Sequence, residues 1–250
     1  LAQPPVGSLS DYTRVRSAAD EAGRSVQIGF QSLGSHALKA IEDLLAAGTI
    51  GTLQGISATG RWVRDKAYYK RSRWAGKRSI NGVDVVDGVA TNPLAHAVAT
   101  ALRIAGARTT ADVASIETEL YRANDIESDD TSVIRIRTTA GLPITCALTI
   151  CAAESVEPYV TLQGSAGRAV FHYTEDRLTV ETAAGHTEET YGRDDLTEHP
   201  LAHRAGGTPL LSSLADSGAF MLVLEAIRTA PAPALIDASS VRWEGDGEAA

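Results

Sequence analysis

The chain has 250 residues, of which 44% are apolar and 22% charged, and it carries a formal net charge of −8. Those proportions belong to a globular protein with a sizeable core and exclude a disordered or fibrous chain, while the acidic balance argues against non-specific binding to nucleic acid. No run of eighteen apolar residues and no N-terminal signal pattern occurs, so the expectation is a soluble, cytoplasmic protein without a membrane partner. In chain order, residues 1–30 read as the end of an α/β unit. Ser8 to Asp11 supplies a cap, Val15, Ala18, Ala19 and Ala22 share a face, Gly23 stops the helix, and residues 26–30 form a short apolar strand. The chain begins at Leu1 without a methionine, and an upstream segment is expected to have been removed. A second amphipathic helix starts at Ser35, turns Leu38, Ile41, Leu44 and Leu45 toward a core and ends at Gly48; Gly51 then leads into a strand over 53–63.

Residues 61–78 hold eight basic residues and one acid, a local charge of +7 against −15 in the remainder. A third helix follows, with Asn92 as its cap, Pro93 at its first position and Gly106 beyond its end. From about 112 to 191 the pattern changes to period two, with strands expected over 115–122, 131–138, 142–152, 158–163, 168–173 and 177–182, separated by turn residues. Such a run builds a large, mostly antiparallel sheet. Cys146 and Cys151 lie within it and read as core thiols in a reducing compartment. A loop over 192–207 leads to a long helix over 209–229, stopped by Pro231 and Pro233 before a last strand at 234–238 and an acidic, frayed tail over 243–250.

A dinucleotide-binding half carries GxGxxG between a strand and a helix, because glycines let backbone amides reach the pyrophosphate. The sequence has no such motif: Gly245-Asp246-Gly247 lies in the tail, and Gly76-Lys77-Arg78 lacks the earlier glycine and the hydroxyl residue of a phosphate loop. There is no GxSxG elbow. His199 and His203 are four apart, but Pro200 stands between them and no glutamate follows the first, so no metal site is expected.

The order of parts resembles the glucose-fructose oxidoreductase, inositol dehydrogenase and rhizopine catabolism (Gfo/Idh/MocA) dehydrogenases. Ala2-Gln3-Pro4-Pro5 stands where that family writes Glu-Lys-Pro, and residues 26–30 resemble the strand after it. Ala47-Gly48-Thr49-Ile50-Gly51 resembles the turn into the second domain. Tyr68-Tyr69, Trp74-Ala75-Gly76-Lys77, the stretch from Asn81-Gly82 to Asp87, and Asn92-Pro93-Leu94-Ala95-His96 resemble a sugar-active branch. The resemblance implies an α+β fold: a large, mostly antiparallel open sheet with helices on one face, preceded by a short helix–strand remnant of a Rossmann domain. Residues 1–30 would then close the dinucleotide-binding domain, and residues 31–250 would form the substrate-binding and oligomerisation domain. It further implies NAD or NADP bound mainly upstream, a sugar or polyol substrate, and a homodimer or homotetramer paired through the sheet face.

The departures from the family pattern fall on its proton-handling positions. The family's lysine, beside the nicotinamide and the substrate hydroxyl, corresponds to Gln3, which donates a hydrogen bond but carries no charge; Gln3 and Pro4 are the expected cofactor-side residues. The Asp-x-x-x-His pair falls on Asp87 and Thr91, and threonine is no general base. Asp87 reads either as a base-orienting or sugar-binding group or as a loop carboxylate near a helix start. His96 is the nearest imidazole able to replace the base, or a solvent-face residue beside Thr100 and Arg103. Asp84 faces the same loop. Tyr68, Tyr69, Arg73 and Trp74 have the aromatic faces and cations that suit a sugar or sugar acid, and equally read as a solvated loop. Lys77 is the cation expected to supply the charge that Gln3 lacks. Glu127, Asp129 and Asp130 read as a solvated hairpin turn. Two functions result: an NAD(P)-dependent sugar or polyol oxidoreductase seen chiefly as its substrate domain, or a sugar-binding or assembly homologue without turnover.

Overall fold

The computed structural model describes residues 3–243; the tail over 244–250, expected to fray, and Leu1 and Ala2 lie outside the described residues. Its strands are β1 (Leu53–Val63), the two-residue β2 (Ser79–Ile80) and β3 (Val83–Asp84), β4 (Val113–Arg122), β5 (Thr131–Thr138), β6 (Pro143–Thr149), β7 (Cys151–Gly164), β8 (Gly167–His172), β9 (Arg177–Thr182), β10 (Gly185–Thr190) and β11 (Ala234–Leu235). The helices are α1 (Leu9–Glu21), α2 (Ala37–Ala46), α3 (Lys66–Lys70), α4 (Ala95–Ile104), α5 (His199–Gly206) and α6 (Gly218–Thr229). Nine strands form one sheet in the order β10-β9-β8-β7-β1-β6-β5-β4-β11. All neighbours are antiparallel except β1 with β6 and β4 with β11.

Period-two burial fixes which face is covered. Ile134 and Ile136 on β5, Ile144, Cys146 and Leu148 on β6, and Val160 and Leu162 on β7 are all buried, whereas Arg135, Arg137, Ala147 and Gln163 between them are exposed. On the buried side α4 crosses β1, β6 and β7 while α6 lies on β4. The alanines of α4, at 95, 97, 99 and 101, keep the helix close to the sheet. Phe30 meets Phe220 edge to face at 4.8 Å, so residues 3–30 and α6 share one core. Arg78 closes that end of the core by donating to the carbonyls of Ile227, Arg228 and Ala230 at 2.9, 2.8 and 3.0 Å, which satisfies the exposed end of α6. No helix among the described residues is long and apolar enough to cross a membrane.

Several elements differ from the sequence expectation. Residues 26–30 make a single bridge, Gln27 with Ser213, and no strand ladder, because their one partner is the segment at 212–214: Ile28 N donates to Ser212 O and Leu214 N to Val26 O. The same pairing shortens the long helix expected over 209–229. A segment spent on sheet-like bonds cannot be helical, so α6 starts only at Gly218, after a 3-10 turn at Ala215–Ser217. The loop expected over 192–207 contains α5, with Gly207 as its left-handed cap at φ 73°. The strand expected over 142–152 breaks at Ile150, whose amide is taken by Asp130 O, and Cys151 opens β7 in an exposed position while Cys146 is buried. The last strand is only Ala234–Leu235. Asn92 is not a cap and Pro93 is not helical: α4 begins at Ala95 after Leu94, because the Asn92 side chain is engaged elsewhere.

Candidate functional site

Residues 84–94 carry the chain from β3 to α4. Val86 sits at φ 50°, a conformation that a β-branched residue holds only when its surroundings impose it, and such strain concentrates at functional turns. The Thr91 hydroxyl donates to Val86 O and accepts from Gly88 N at 3.0 Å. The Asp87 carboxylate, almost wholly buried, accepts from Gly76 N at 2.7 Å through Oδ2 and from Asn92 Nδ2 at 2.5 Å through Oδ1. Asp87 therefore locks the 74–78 loop to the start of α4, and Thr91 locks the turn that presents it. The N-terminal segment runs beside this loop: a β-carbon on Gly7 would lie 2.2 Å from Asp84 O.

Beneath the turn lies Asp129. A β-carbon on Gly88 would sit 2.1 Å from Asp129 Oδ1, so glycine is required there, and Val89 N donates to Asp129 O at 3.0 Å. Burial pushes the Asp129 carboxyl above the usual carboxylate range, opposed in part by the Ser132 hydroxyl, which donates to Oδ2 at 2.6 Å. Asp130, just before β5, turns instead to the segment at 123–124, where its Oδ2 accepts from Ala123 N, Asn124 N and Asn124 Nδ2. The solvated hairpin turn expected for these acids is thus corrected: only Glu127 is exposed, while Asp129 and Asp130 are at 1% and 0% exposure because loop and strand amides and serine hydroxyls replace their water. On the Asp130 side, Asn124 Nδ2 also donates to Cys151 Sγ at 3.2 Å, and desolvation of the thiol itself, on a residue otherwise exposed, followed by the Asp130 charge pushes it up. Burial likewise raises the pKa of the Tyr69 hydroxyl, which is without a partner among the described residues.

The aromatic segment is occupied by arginines. Arg71 Cζ lies 3.6 Å from the Tyr68 ring centroid and 4.7 Å from that of Trp74, with Nη2 3.8 Å from Asp87 Oδ2. Arg64 Cζ lies 4.8 Å from Trp62 and 5.2 Å from Tyr68. Burial raises the pKa of Tyr68 despite both guanidinium groups. Arg64 also lines a cleft of about 400 Å³ with Asn124, Cys151 and Trp243.

The structure thus brings Asp87, Thr91, Tyr68, Tyr69 and Trp74 together around the 74–78 loop. Others stand apart. Lys77 Nζ bonds Glu127 Oε1 at 2.8 Å, Asp84 Oδ2 bonds Arg228 Nη1 at 3.2 Å, and Arg73 is exposed. His96 is not on a solvent face: its helix turns it edge-on to Phe30 with ring centroids 5.8 Å apart, and burial with the nearby Arg193 charge pushes it down to about 4. Thr100 beside it is fully buried. His199 and His203 do share α5, but the His203 ring nitrogens face Thr208 O at 2.6 Å and Ser25 Oγ at 2.8 Å. Sequence reasoning missed Arg71, and the only signal for it was its place among the cations between Tyr68 and Trp74.

A nicotinamide dinucleotide fits the described residues at one point only. Gln3 Oε1 is buried without a donor among the described residues, an acceptor suited to an amide or hydroxyl, and Pro4 adjoins it. Among the described residues there is no glycine-rich strand-to-helix turn of the kind that receives a pyrophosphate.

No family model and no curated protein matches the chain. Solved structures do match. The WlbA dehydrogenase from Bordetella pertussis, in complex with NADH and UDP-GlcNAcA, is 19% identical with a TM-score of 0.70, over 90% of this chain and 67% of its own. The UDP-N-acetylglucosamine 3-dehydrogenase GnnA from Acidithiobacillus ferrooxidans is 13% identical with a TM-score of 0.68, over 91% and 68%. A mutant of KijD10, a 3-ketoreductase from Actinomadura kijaniata in complex with TDP-benzene and NADP, is 15% identical with a TM-score of 0.71, over 94% and 70%. At these identities the likeness shows the fold, and the α+β open-sheet fold of this chain is the one found in these oxidoreductases.

Proposed function

We propose that the chain is the substrate-binding and oligomerisation part of an NAD(P)-dependent sugar or polyol oxidoreductase. In this reading residues 1–30 close its dinucleotide-binding domain and residues 31–250 form the substrate domain. The observation that carries it is the Asp87 turn, a buried carboxylate held under strain at the entry to α4 and facing a cationic aromatic segment, in a fold shared with dehydrogenases and a ketoreductase. The substrate is proposed to lie along Tyr68, Tyr69 and Trp74, with Arg73, Lys77 and Asp84 at the rim. Asp87 and Thr91 hold the turn that receives it. His96, kept neutral near pH 7 by burial, is the imidazole able to accept a proton, and Gln3 and Pro4 border the cofactor. The open sheet face, where Thr145, Ala147 and Gln163 alternate with buried neighbours, is the surface proposed to pair two copies.

The test is NAD(P)+ reduction with a panel of sugars, polyols and sugar acids, using the protein isolated with its whole native sequence. Reduction with at least one of them, and its loss in Asp87→Asn, is the expected result. No reduction with any member of the panel would overturn the reading.

A further inference from the structure

The arrangement of residues 62–74 goes one step further. Trp62, Arg64, Tyr68, Arg71 and Trp74 form a continuous ladder in which aromatic rings and guanidinium groups alternate, at Cζ-to-centroid distances of 4.8, 5.2, 3.6 and 4.7 Å. Both cations contact the same Tyr68 ring, so their Cζ atoms are no more than 8.8 Å apart, the limit set by 5.2 and 3.6 Å to one centroid. We propose that Arg64 and Arg71 bind an oxyanion, a phosphate or carboxylate, carried by the substrate. The inference rests on the sugar-binding reading above and names the class of sugar.

Three observations support it. Like charges this close repel, and the carboxylates at hand leave most of the guanidinium donors unbonded. Asp87 forms an ion pair with Arg71 at 3.8 Å, beyond hydrogen-bond distance, while its two oxygens accept from Gly76 N and Asn92 Nδ2. Asp65 accepts from Tyr68 N as the cap of α3, and no carboxylate among the described residues forms an ion pair with Arg64. Second, each guanidinium anchors itself through one bond to a main-chain carbonyl, Arg71 Nη1 to Tyr68 O at 2.8 Å and Arg64 Nη1 to Val63 O at 3.0 Å, while its planar fork carries five donors. Stacking fixes that fork before a ligand arrives, which removes much of the ordering cost of binding. Third, Arg64 opens onto the cleft of about 400 Å³, a volume within the range of small-molecule sites, with Asn124 and the Trp243 indole on its walls. The ladder therefore joins the Asp87 turn at its Arg71 end to a ligand-sized cleft at its Arg64 end.

Trp62 and Trp74 are two of the three tryptophans, so indole fluorescence reports the ladder directly. The chain is titrated with inorganic pyrophosphate, glucuronate and glucose, as wild type and as Arg64→Gln, Arg71→Gln and Arg71→Lys, each first shown to be folded by circular dichroism. Expected is anion binding that weakens about tenfold in either glutamine variant, less in Arg71→Lys, and falls with added salt, with glucose binding unchanged. A preference for pyrophosphate assigns the oxyanion to a phosphate, and a preference for glucuronate assigns it to a carboxylate. Equal anion affinity in wild type and both glutamine variants, or no anion binding at all, overturns the proposal. If the glutamine variants do not fold, Arg71→Lys and the salt dependence of the wild type decide it. Turnover of neutral sugars with no arginine-dependent anion binding would sink this inference and leave the oxidoreductase reading intact. Arginine-dependent anion binding with no turnover of any sugar would do the reverse.

Discussion

In the turn over residues 86–92 the side-chain oxygens of Asp87 and Thr91 all have partners inside the protein, and a buried carboxyl group supports the backbone from below. In the segment over 62–74 the balance is reversed: the guanidinium groups of Arg64 and Arg71 carry more donors than their neighbours use, and the rings that stack on them hold orientation without supplying charge. The two regions meet at Arg71. The difference separates two kinds of candidate site residue, since a group with all its bonds satisfied acts by fixing geometry, whereas a group held in place with donors to spare acts by contact. Asp87 and Thr91 belong to the first kind, Arg64 and Arg71 to the second.

The sharpest way to break this contrast is Asp87→Ala. It leaves Gly76 N and Asn92 Nδ2 without an acceptor in a buried setting, and urea unfolding should show a loss of about 3 to 5 kcal/mol, two charge-assisted bonds at the usual values. A loss below about 1 kcal/mol would mean that Asp87 is not the latch of the turn. Next in size is a pH effect at His96, which faces the Phe30 ring edge and the Arg193 charge. Its folded pKa of about 4 lies below the ordinary 6.5, so the unfolded chain binds the extra proton. His96 therefore contributes its full stabilisation above about pH 6.5 and loses it as the pH falls toward 4, a swing of about 3 kcal/mol. Stability measured across that range should be flatter in His96→Asn. Smaller again is Thr91→Val, which keeps the shape and removes the hydroxyl bonded to Val86 O and Gly88 N. The expected cost is about 1 to 2 kcal/mol, with Thr91→Ser close to wild type.

Much of the sheet was legible because its signal is local. β4, β5, β8 and β9 alternate apolar and polar residues so regularly that their observed bounds lie within two residues of the expected ones. The helix expected over 209–229 failed for a non-local reason: Leu211, Ser212 and Ser213 suit a helix well enough, and only their pairing with residues 26–28 makes them extended. In the site, Asp87 and Thr91 stood out by motif, but their structural duties did not. The main partner of Asp87 is the amide of Gly76, eleven residues earlier, and its other partner, Asn92, looked like a helix cap. Asp129 and Asp130 read as surface residues because acids are rarely buried, and nothing in the sequence announces the serines and amides that bury them. Arg71 was one of eight cations in eighteen residues, and spacing does not say which of them stacks on a ring.

Lys77 gives the smallest expected effect and the finest test of the boundary between the two regions. It lies between the Gly76 amide that Asp87 holds and the Arg78 that caps α6, yet its own charge turns outward to Glu127, with the two side chains 45% and 49% exposed. Exposed pairs of this kind are worth less than about 1 kcal/mol, and Glu127 keeps a second donor, the Arg78 amide at 3.3 Å, when the lysine is gone. Lys77→Met should therefore move the urea midpoint only slightly. Its effect on anion binding should also be slight if Arg64 and Arg71 make the contacts, because a charge already paired with Glu127 in solvent adds little to a neighbouring site. A large loss of anion affinity with unchanged stability would move Lys77 into the ladder. A large loss of stability would instead make it part of the latch around Asp87, and either result would redraw the line that the two regions now share at Arg71.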